Sequence, residues 1–215
     1  MSSPRKVSES TVRRLSFYLR VLREIRGNGV QTVSSDRLAD AAGVTSAQVR
    51  KDLSVFGNFG VRGRGYEVQA LQEHLERILG LDRMWRTVVV GAGRLGTALT
   101  SYPDFSKQGF RILALFDTDP GKLGARFGDA QVLPLEELED FAREQDAQIG
   151  IVTTPREAAQ EAADRLIRAG IRGILNFAPV RIEVPSGVSL RNVNLAIELE
   201  GLSFSIADRE PGEST

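Results

Sequence analysis

Apolar residues in the first third of the chain recur at helical intervals. Val12, Leu15, Leu19, Leu22 and Ile25 fall three or four positions apart and predict one amphipathic helix, ended by Gly27-Asn28-Gly29. Thr32-Val33-Ser34 predicts a short extended piece. Ser35 is placed to cap a second helix with Leu38 and Ala42 inward, and Gly43 ends it. Thr45 caps a third helix whose inward residues are Val49, Leu53 and Phe56, and Gln48 three positions on makes a capping-box pair. The link Gly43-Val44-Thr45 is too short for parallel helices and fits a helix-turn-helix corner. Glycines at 57, 60, 63 and 65 forbid a helix next, and Phe59, Val61, Tyr66 and Val68 alternate as a small hairpin does. A fourth helix follows, with Leu71, Leu75, Ile78 and Leu79 inward.

The pattern changes after Gly80-Leu81-Asp82-Arg83, a plausible joint. Short apolar runs now alternate with helical ones. Strands are predicted at 87–90, 112–116, 149–152 and from Ile174, with helices over 97–101, 135–145 and 156–169. Two more short strands are expected at 181–184 and 188–190. This alternation calls for a mostly parallel, doubly wound α/β sheet. A last helix capped by Asn194 carries Leu195, Leu199, Leu202 and Ile206 at steps of four, three and four. Coming after the sheet is complete, it either packs on its own sheet or joins two copies of the chain.

The strand ending at Val90 runs straight into Gly91-Ala92-Gly93-Arg94-Leu95-Gly96, with a helix behind it. In this strand-to-helix context the spacing is a dinucleotide fingerprint. One glycine allows the tight turn, one lets the backbone approach a pyrophosphate, and one lets helix and strand pack closely. The pattern asks for an acid about 20 residues on, and Asp117 stands 21 beyond Gly96 to take the adenosine ribose hydroxyls. No Arg or Lys follows it closely, Lys122 being the nearest, which favours NAD over NADP. Thr153-Thr154-Pro155 and Asn176 sit at the carboxyl ends of strands, where open α/β sheets bind ligands. The class is therefore a helix-turn-helix domain with a Gly-rich wing, followed by a Rossmann-like domain.

Charge sharpens this division. The 215 residues carry no net charge, but residues 1–83 hold 14 Lys+Arg against 9 Asp+Glu, and residues 84–215 hold 14 against 19. A basic first segment points to a polyanion. On the third helix Ser46, Gln48, Arg50 and Lys51 face outward near its start, suited to base edges and phosphates in a major groove. Arg62 and Arg64 lie on the wing, and Arg13, Arg14 and Arg20 on the first helix are placed for phosphates. The absence of cysteine excludes disulfides and thiolate sites, and the one histidine, His74, reads as a solvated surface residue. No apolar run reaches membrane-spanning length and the N-terminus has no secretory core, so a cytoplasmic location is expected.

The chain resembles the bacterial redox-sensing repressor family Rex over nearly its whole length. The residues that carry the likeness are Tyr18-Leu19-Arg20, Gln48-Val49-Arg50-Lys51-Asp52-Leu53, Phe56-Gly57-Asn58-Phe59-Gly60 through Arg62-Gly63 to Gly65-Tyr66, the glycine fingerprint, Thr153-Thr154-Pro155, and Ile174-Leu175-Asn176-Phe177-Ala178-Pro179. The resemblance implies a homodimer that binds palindromic operator DNA through winged helices at 1–80 and NADH or NAD+ through a domain at 84–193. It also implies a last helix, 194–207, exchanged between subunits, and release of the operator by NADH. Arg20 and Tyr102 match family positions in a polar link between cofactor and DNA domain. The third member is usually an Asp; here Asn194 stands there, followed by Leu195 where Phe is common, and Asn lacks the charge to pair with Arg20.

Discrimination of NADH from NAD+ then falls to residues near the nicotinamide, with Asn176, Phe177, Tyr102 and the partner's last helix as candidates. The chain reads as a sensor and not an enzyme. An NAD-dependent oxidoreductase with an accessory N-terminal domain is the alternative, but it needs a proton donor and a substrate domain, and beyond residue 83 there are two lysines and no histidine. A DNA-binding regulator that takes another nucleotide or CoA is a further alternative.

Overall fold

The computed structural model describes residues 7–61 and 64–208. Their contacts divide the chain into two compact units, Met1–Arg83 and Met84–Thr215. In the first unit α1 (Glu9–Gly27) is followed by β1 (Thr32–Val33), α2 (Ser35–Ala42), α3 (Ser46–Ser54), β2 (Gly60–Val61), β3 (Gly65–Glu67) and α4 (Val68–Ile78). The core is built from Leu15, Tyr18, Leu19, Leu22 and Ile25 of α1 against Leu38, Val49, Leu53, Leu71 and Leu75. Val12, expected on the buried stripe, is exposed, and Tyr18 takes the inner position instead.

Helix ends follow local chemistry. Ser34, not Ser35, caps α2, its hydroxyl accepting from Arg37 N at 3.2 Å. Gly43 adopts the left-handed conformation (φ 63°) that ends α2, and Val44 N returns to Ala39 O at 3.1 Å. Thr45 Oγ1 accepts from Gln48 N, but the reciprocal half of the capping box is not made because the Gln48 side chain goes to Asp52. β3 pairs antiparallel with both β1 and β2, giving the small wing sheet. Gly65 at its root has φ +81°, and a Cβ there would run into Val33 O. His74 is not a free surface group: its ring lies 4.8 Å from that of Phe59, below the wing.

The second unit holds β4 (Trp85–Val90), α5 (Arg94–Thr100), α6 (Asp104–Lys107), β5 (Phe110–Asp117), β6 (Arg126–Phe127), β7 (Ala130–Pro134), α7 (Leu138–Glu144), β8 (Ile149–Val152), α8 (Ala159–Arg168), β9 (Gly173–Asn176), β10 (Ser189–Asn192) and α9 (Leu195–Ala207). The described strands form one sheet in the order β10-β9-β8-β4-β5-β7-β6, parallel except for the β6–β7 hairpin. Val88, Val90 and Phe116 face a core closed by Leu138, Ala163 and Leu166 of α7 and α8. Val89, Leu115 and Ile151 point to the other face. The chain leaves β4 toward β5 and later returns to β8 on its other side. The strand order therefore reverses at β4, where open α/β sheets leave a crevice at their carboxyl ends.

The β6–β7 hairpin was not among the expected strands; its signal was Ala130 and Val132, two residues apart and both buried, after the turn at Gly128-Asp129. Residues 181–184 are not a strand. Ile182 is buried in the core without pairing, between Pro179 and Pro185. The helices expected over 135–145 and 156–169 each begin as a 3-10 turn after a proline, at Leu135–Glu137 and Arg156–Ala158. None of the residues of α9 is buried, so it does not pack on its own sheet. Ile197 and Phe204, as exposed as Leu195, Leu199, Leu202 and Ile206, lie on the side opposite that stripe, making α9 apolar on two faces.

Candidate dinucleotide and nucleic-acid sites

At the strand-order reversal a cleft of about 520 Å³ opens above β4, β5 and β8. Val90, Gly91, Gly93, Phe116, Asp117, Thr118, Asp119, Lys122, Thr153, Thr154 and Pro155 line it, with Glu136, Glu161 and Arg165 at the α7–α8 side. The three fingerprint glycines divide their work. Gly91 has φ +104°, and a Cβ on it would lie 2.9 Å from the Thr153 carbonyl. A Cβ on Gly96 would run into Gly91 O. A Cβ on Gly93 meets nothing within 4 Å, so the packing of the described residues does not require glycine there. Gly93 also stands at the N-cap of α5 with no side chain bonded to the helix end.

Two side chains hold the loop from neighbouring strands. Thr153 Oγ1 donates to Gly91 O at 2.8 Å and approaches Val90 O at 3.1 Å, so its hydroxyl serves the loop. Asp117 Oδ2 accepts from Ala92 N at 2.7 Å, and Oδ1 accepts from Asp119 N at 2.9 Å. Lys122 Nζ is 3.0 Å from Asp117 Oδ2 and 3.7 Å from Asp119 Oδ2. Burial pushes the Asp117 carboxyl up, but bonds from the Asp119 N–H, the Lys122 ammonium and the Ala92 N–H outweigh it, and its pKa lies below the ordinary value. The premise that no basic residue stands near Asp117 is thus corrected. The 3-10 turn at Pro120–Lys122, capped by Asp119, folds Lys122 back. Two carboxylates and one ammonium still leave that end of the cleft negative, as ribose hydroxyls prefer and a 2′-phosphate does not. Thr154 Oγ1 is buried without a hydrogen-bond partner among the described residues, beside this cleft.

Other sequence-predicted positions are not gathered into the cleft. Asn176 is buried, with Nδ2 donating to Val180 O and Asn192 Oδ1 at 2.9 Å each and Oδ1 accepting from Ala178 N at 3.0 Å. Its amide organises the turn after β9, and Asn176 is not among the residues lining the cleft. Phe177 is half-buried at the edge of the apolar cluster on that face of the sheet. Arg94 and Leu95 are exposed on α5, and Tyr102 is half-exposed beside Phe105, on a smaller separate depression. Asn194 Oδ1 is engaged in capping α9 through Ala196 N at 3.0 Å. Sequence reasoning missed Glu136, Glu161 and Arg165, which carry no motif and reach the cleft through the packing of α7 and α8. No group of three His, Asp or Glu among the described residues is arranged for a metal ion.

In the first unit α2, the turn at Gly43 and α3 form the helix-turn-helix corner. Arg13, Arg20, Arg50, Lys51 and Arg64 are exposed, Ser46 and Gln48 half-buried, and Arg62 lies outside the described residues. Arg50 Nη1 donates to Ser35 Oγ at 2.9 Å, which ties α3 to the start of α2. Arg14 is not a phosphate ligand: its Nε and Nη2 grip the buried Asp52 at 2.6 and 2.7 Å. Burial pushes the Asp52 carboxyl up, but bonds from Arg14, Gln48 and Tyr18 bring it below the usual range. Burial, helped by Asp52, pushes the Tyr18 hydroxyl well above its ordinary value.

Comparisons with known proteins agree with this division. Residues 82–180 match the family described as CoA binding domain, and residues 6–54 match the one described as putative DNA-binding protein N-terminus. The chain is 49% identical to the redox-sensing transcriptional repressor Rex of Carboxydothermus hydrogenoformans, covering 94% of this chain and 97% of that one. It is 46% identical to the Rex of Streptomyces coelicolor, covering 97% of this chain and 81% of the other. Among solved structures, RSP in complex with beta-NAD+ and operator DNA matches with a TM-score of 0.89 at 42% identity, covering 95% and 94% of the two chains. RSP in complex with beta-NADH matches with a TM-score of 0.86 at 40% identity, covering 95% and 96%. With identities this high over nearly its full length, the chain belongs to the Rex family of redox-sensing transcriptional repressors.

Proposed function

We propose that this protein is a repressor that binds palindromic operator DNA as a homodimer and is released by NADH, so that it reports the NADH/NAD+ ratio in the cytoplasm. Residues 1–80 read DNA, 84–193 bind the nucleotide, and 194–207 join the subunits. A cradle at Gly93 with room for a ligand, in the same chain as a recognition helix exposing Arg50 and Lys51, carries this reading. Relatives solved with NAD+ and operator DNA, and with NADH, support it.

The loop and first turn from Gly91 through Ala92, Gly93, Arg94 and Leu95 to Gly96, beside the cleft, take the pyrophosphate through their backbone, and Asp117 in the cleft takes the adenosine ribose. The fit is chemical: an open backbone approach for phosphate oxygens and an anionic acceptor set for hydroxyls. Thr153 holds the loop, and Thr154, Pro155 and Phe177 stand toward the strand end that receives the nicotinamide. The bound nucleotide supplies a ring whose charge and planarity differ between NAD+ and NADH. The chain supplies a two-state dimer, which a ligand shifts only by its differential affinity for the two states. Ser46, Gln48, Arg50, Lys51, Arg64 and Arg13 face the duplex. Arg20, Tyr102 and Asn194 belong to the switch, where Asn194 contributes a dipole in place of a carboxylate.

The subunit contact is assigned to α9. Helices that are apolar on two faces belong inside a protein. An apolar groove of about 390 Å³ on the sheet, walled by Phe105, Phe110, Ile112, Ile149, Ile151 and Leu175, stands open to receive α9 of a second copy. Burying six such side chains is worth on the order of 10 kcal/mol per subunit.

The chain transfers no hydride: its role is binding. The test is a gel shift on a selected palindromic duplex with rising NADH, NAD+, NADPH or CoA, alongside fluorescence titration of each nucleotide. NADH alone is expected to release the duplex at low concentration. Undiminished duplex binding at saturating NADH refutes the proposal, and release by CoA reassigns the ligand.

A further inference from the structure

The most deeply buried acidic residue of the first unit sits on the recognition helix. Asp52, 3% exposed, receives four hydrogen bonds. Oδ1 accepts from Arg14 Nη2 at 2.7 Å and Gln48 Nε2 at 2.8 Å. Oδ2 accepts from Arg14 Nε at 2.6 Å and Tyr18 Oη at 3.0 Å. A carboxylate has room for about four such bonds, so this one is saturated. Arg14 and Tyr18 belong to α1 and supply the balance of charge and a brace between helices. Gln48 is different. It stands one turn before Asp52 on α3 itself, and bracing α3 against α1 does not require it.

What the Gln48 bond does is chemical. An ionised carboxylate only accepts, so the Gln48 amide must present nitrogen to it. This fixes which end of the carboxamide is spent. Left over are the carbonyl oxygen, which accepts no hydrogen bond among the described residues, and one N–H. In a major groove adenine shows the N6 amine beside the N7 acceptor, and cytosine shows the N4 amine alone. Guanine and thymine show only acceptors at the corresponding edge.

We propose that Asp52 is a positioning residue for base recognition: it locks the Gln48 carboxamide with its oxygen free, so that α3 selects a base presenting an exocyclic amine in the major groove, adenine first and cytosine second, at one position of each operator half-site. The proposal rests on the DNA-binding reading above and deepens it. The same lock holds the side chain in one conformation before DNA arrives, which lowers the entropy cost of the contact.

The experiment measures duplex binding of the full-length protein with every base pair of the palindrome substituted in turn. For the wild-type chain, one position per half-site should favour adenine over guanine or thymine by about tenfold or more. In Gln48→Ala that preference should fall below about threefold, while preferences elsewhere and NADH affinity stay as in wild type. Asp52→Asn, checked for folding by thermal melting, should relax the same position. Should Asp52→Asn fail to fold, nuclear magnetic resonance of the wild-type chain replaces it, with an exchange-protected, downfield-shifted Gln48 Nε2 proton as the expected signature. An unmoved base profile in Gln48→Ala, or a freely exchanging side-chain amide, overturns this proposal alone. A wild-type chain that binds no duplex overturns the DNA-binding reading with it.

Discussion

Gly93→Ala separates a ligand requirement from a folding requirement within a single motif. Gly93 has φ −82° and ψ −174°, ordinary extended backbone, and an added Cβ meets nothing within 4 Å. Alanine is a poorer N-cap than glycine by about 0.5–1 kcal/mol, and it recovers about 0.4–1 kcal/mol by restricting the unfolded chain. The folded domain should therefore melt within a few degrees of wild type. A pyrophosphate drawn against this backbone needs the space that the methyl group fills. Displacing it loses charge-assisted bonds worth about 1.5–3 kcal/mol, or roughly ten- to a hundredfold in NADH affinity. Gly93→Val adds branching and should abolish the response. Gly91→Ala is the contrasting control, because φ +104° and the Thr153 carbonyl 2.9 Å away make it a folding lesion. Calorimetric titration with NADH, thermal melting and a gel shift are run on all three. Gly93→Ala should bind operator normally yet resist NADH. If it binds NADH within about threefold of wild type, where tenfold is the least expected, the backbone at 93 does not approach the nucleotide and the cradle has been misread.

Arg50→Ala or Lys51→Ala should weaken operator binding without moving NADH affinity, and loss of one phosphate contact should lower the salt slope of log K by about 0.9 in a gel-shift series. Arg14→Met leaves the buried Asp52 charge without its main partner and should cost about 3–5 kcal/mol in urea unfolding, whereas a phosphate ligand at that position would leave stability unchanged. Leu199→Glu with Phe204→Glu should yield monomers in light scattering, with NADH binding by the cleft retained. Asp52 and Asp117 both have depressed pKa values in the folded chain. Their stabilisation is therefore complete above the ordinary carboxylate range near pH 4 and is lost as pH falls through their lower folded values. Acid unfolding of Asp52→Asn should accordingly be shallower than that of wild type below about pH 4.

Periodicity and punctuation determined a good deal without coordinates. The stripe from Leu15 to Ile25, the corner at Gly43 and the β-branched run into the glycine fingerprint are local signals. They express which residues can share a helix face, turn with positive φ, or precede a phosphate loop. Side-chain partnership is not local, and tertiary structure alone decided it. Arg14 has the helix position of a phosphate ligand, yet Asp52, 38 positions away, holds its Nε and Nη2. Asn176 stood at a strand end but spends its amide on Ala178, Val180 and Asn192. Lys122 lay too far along the chain to matter until a 3-10 turn returned it to Asp117. A polar group satisfies the nearest complementary group in space, and spatial proximity is set by how elements pack rather than by spacing along the chain.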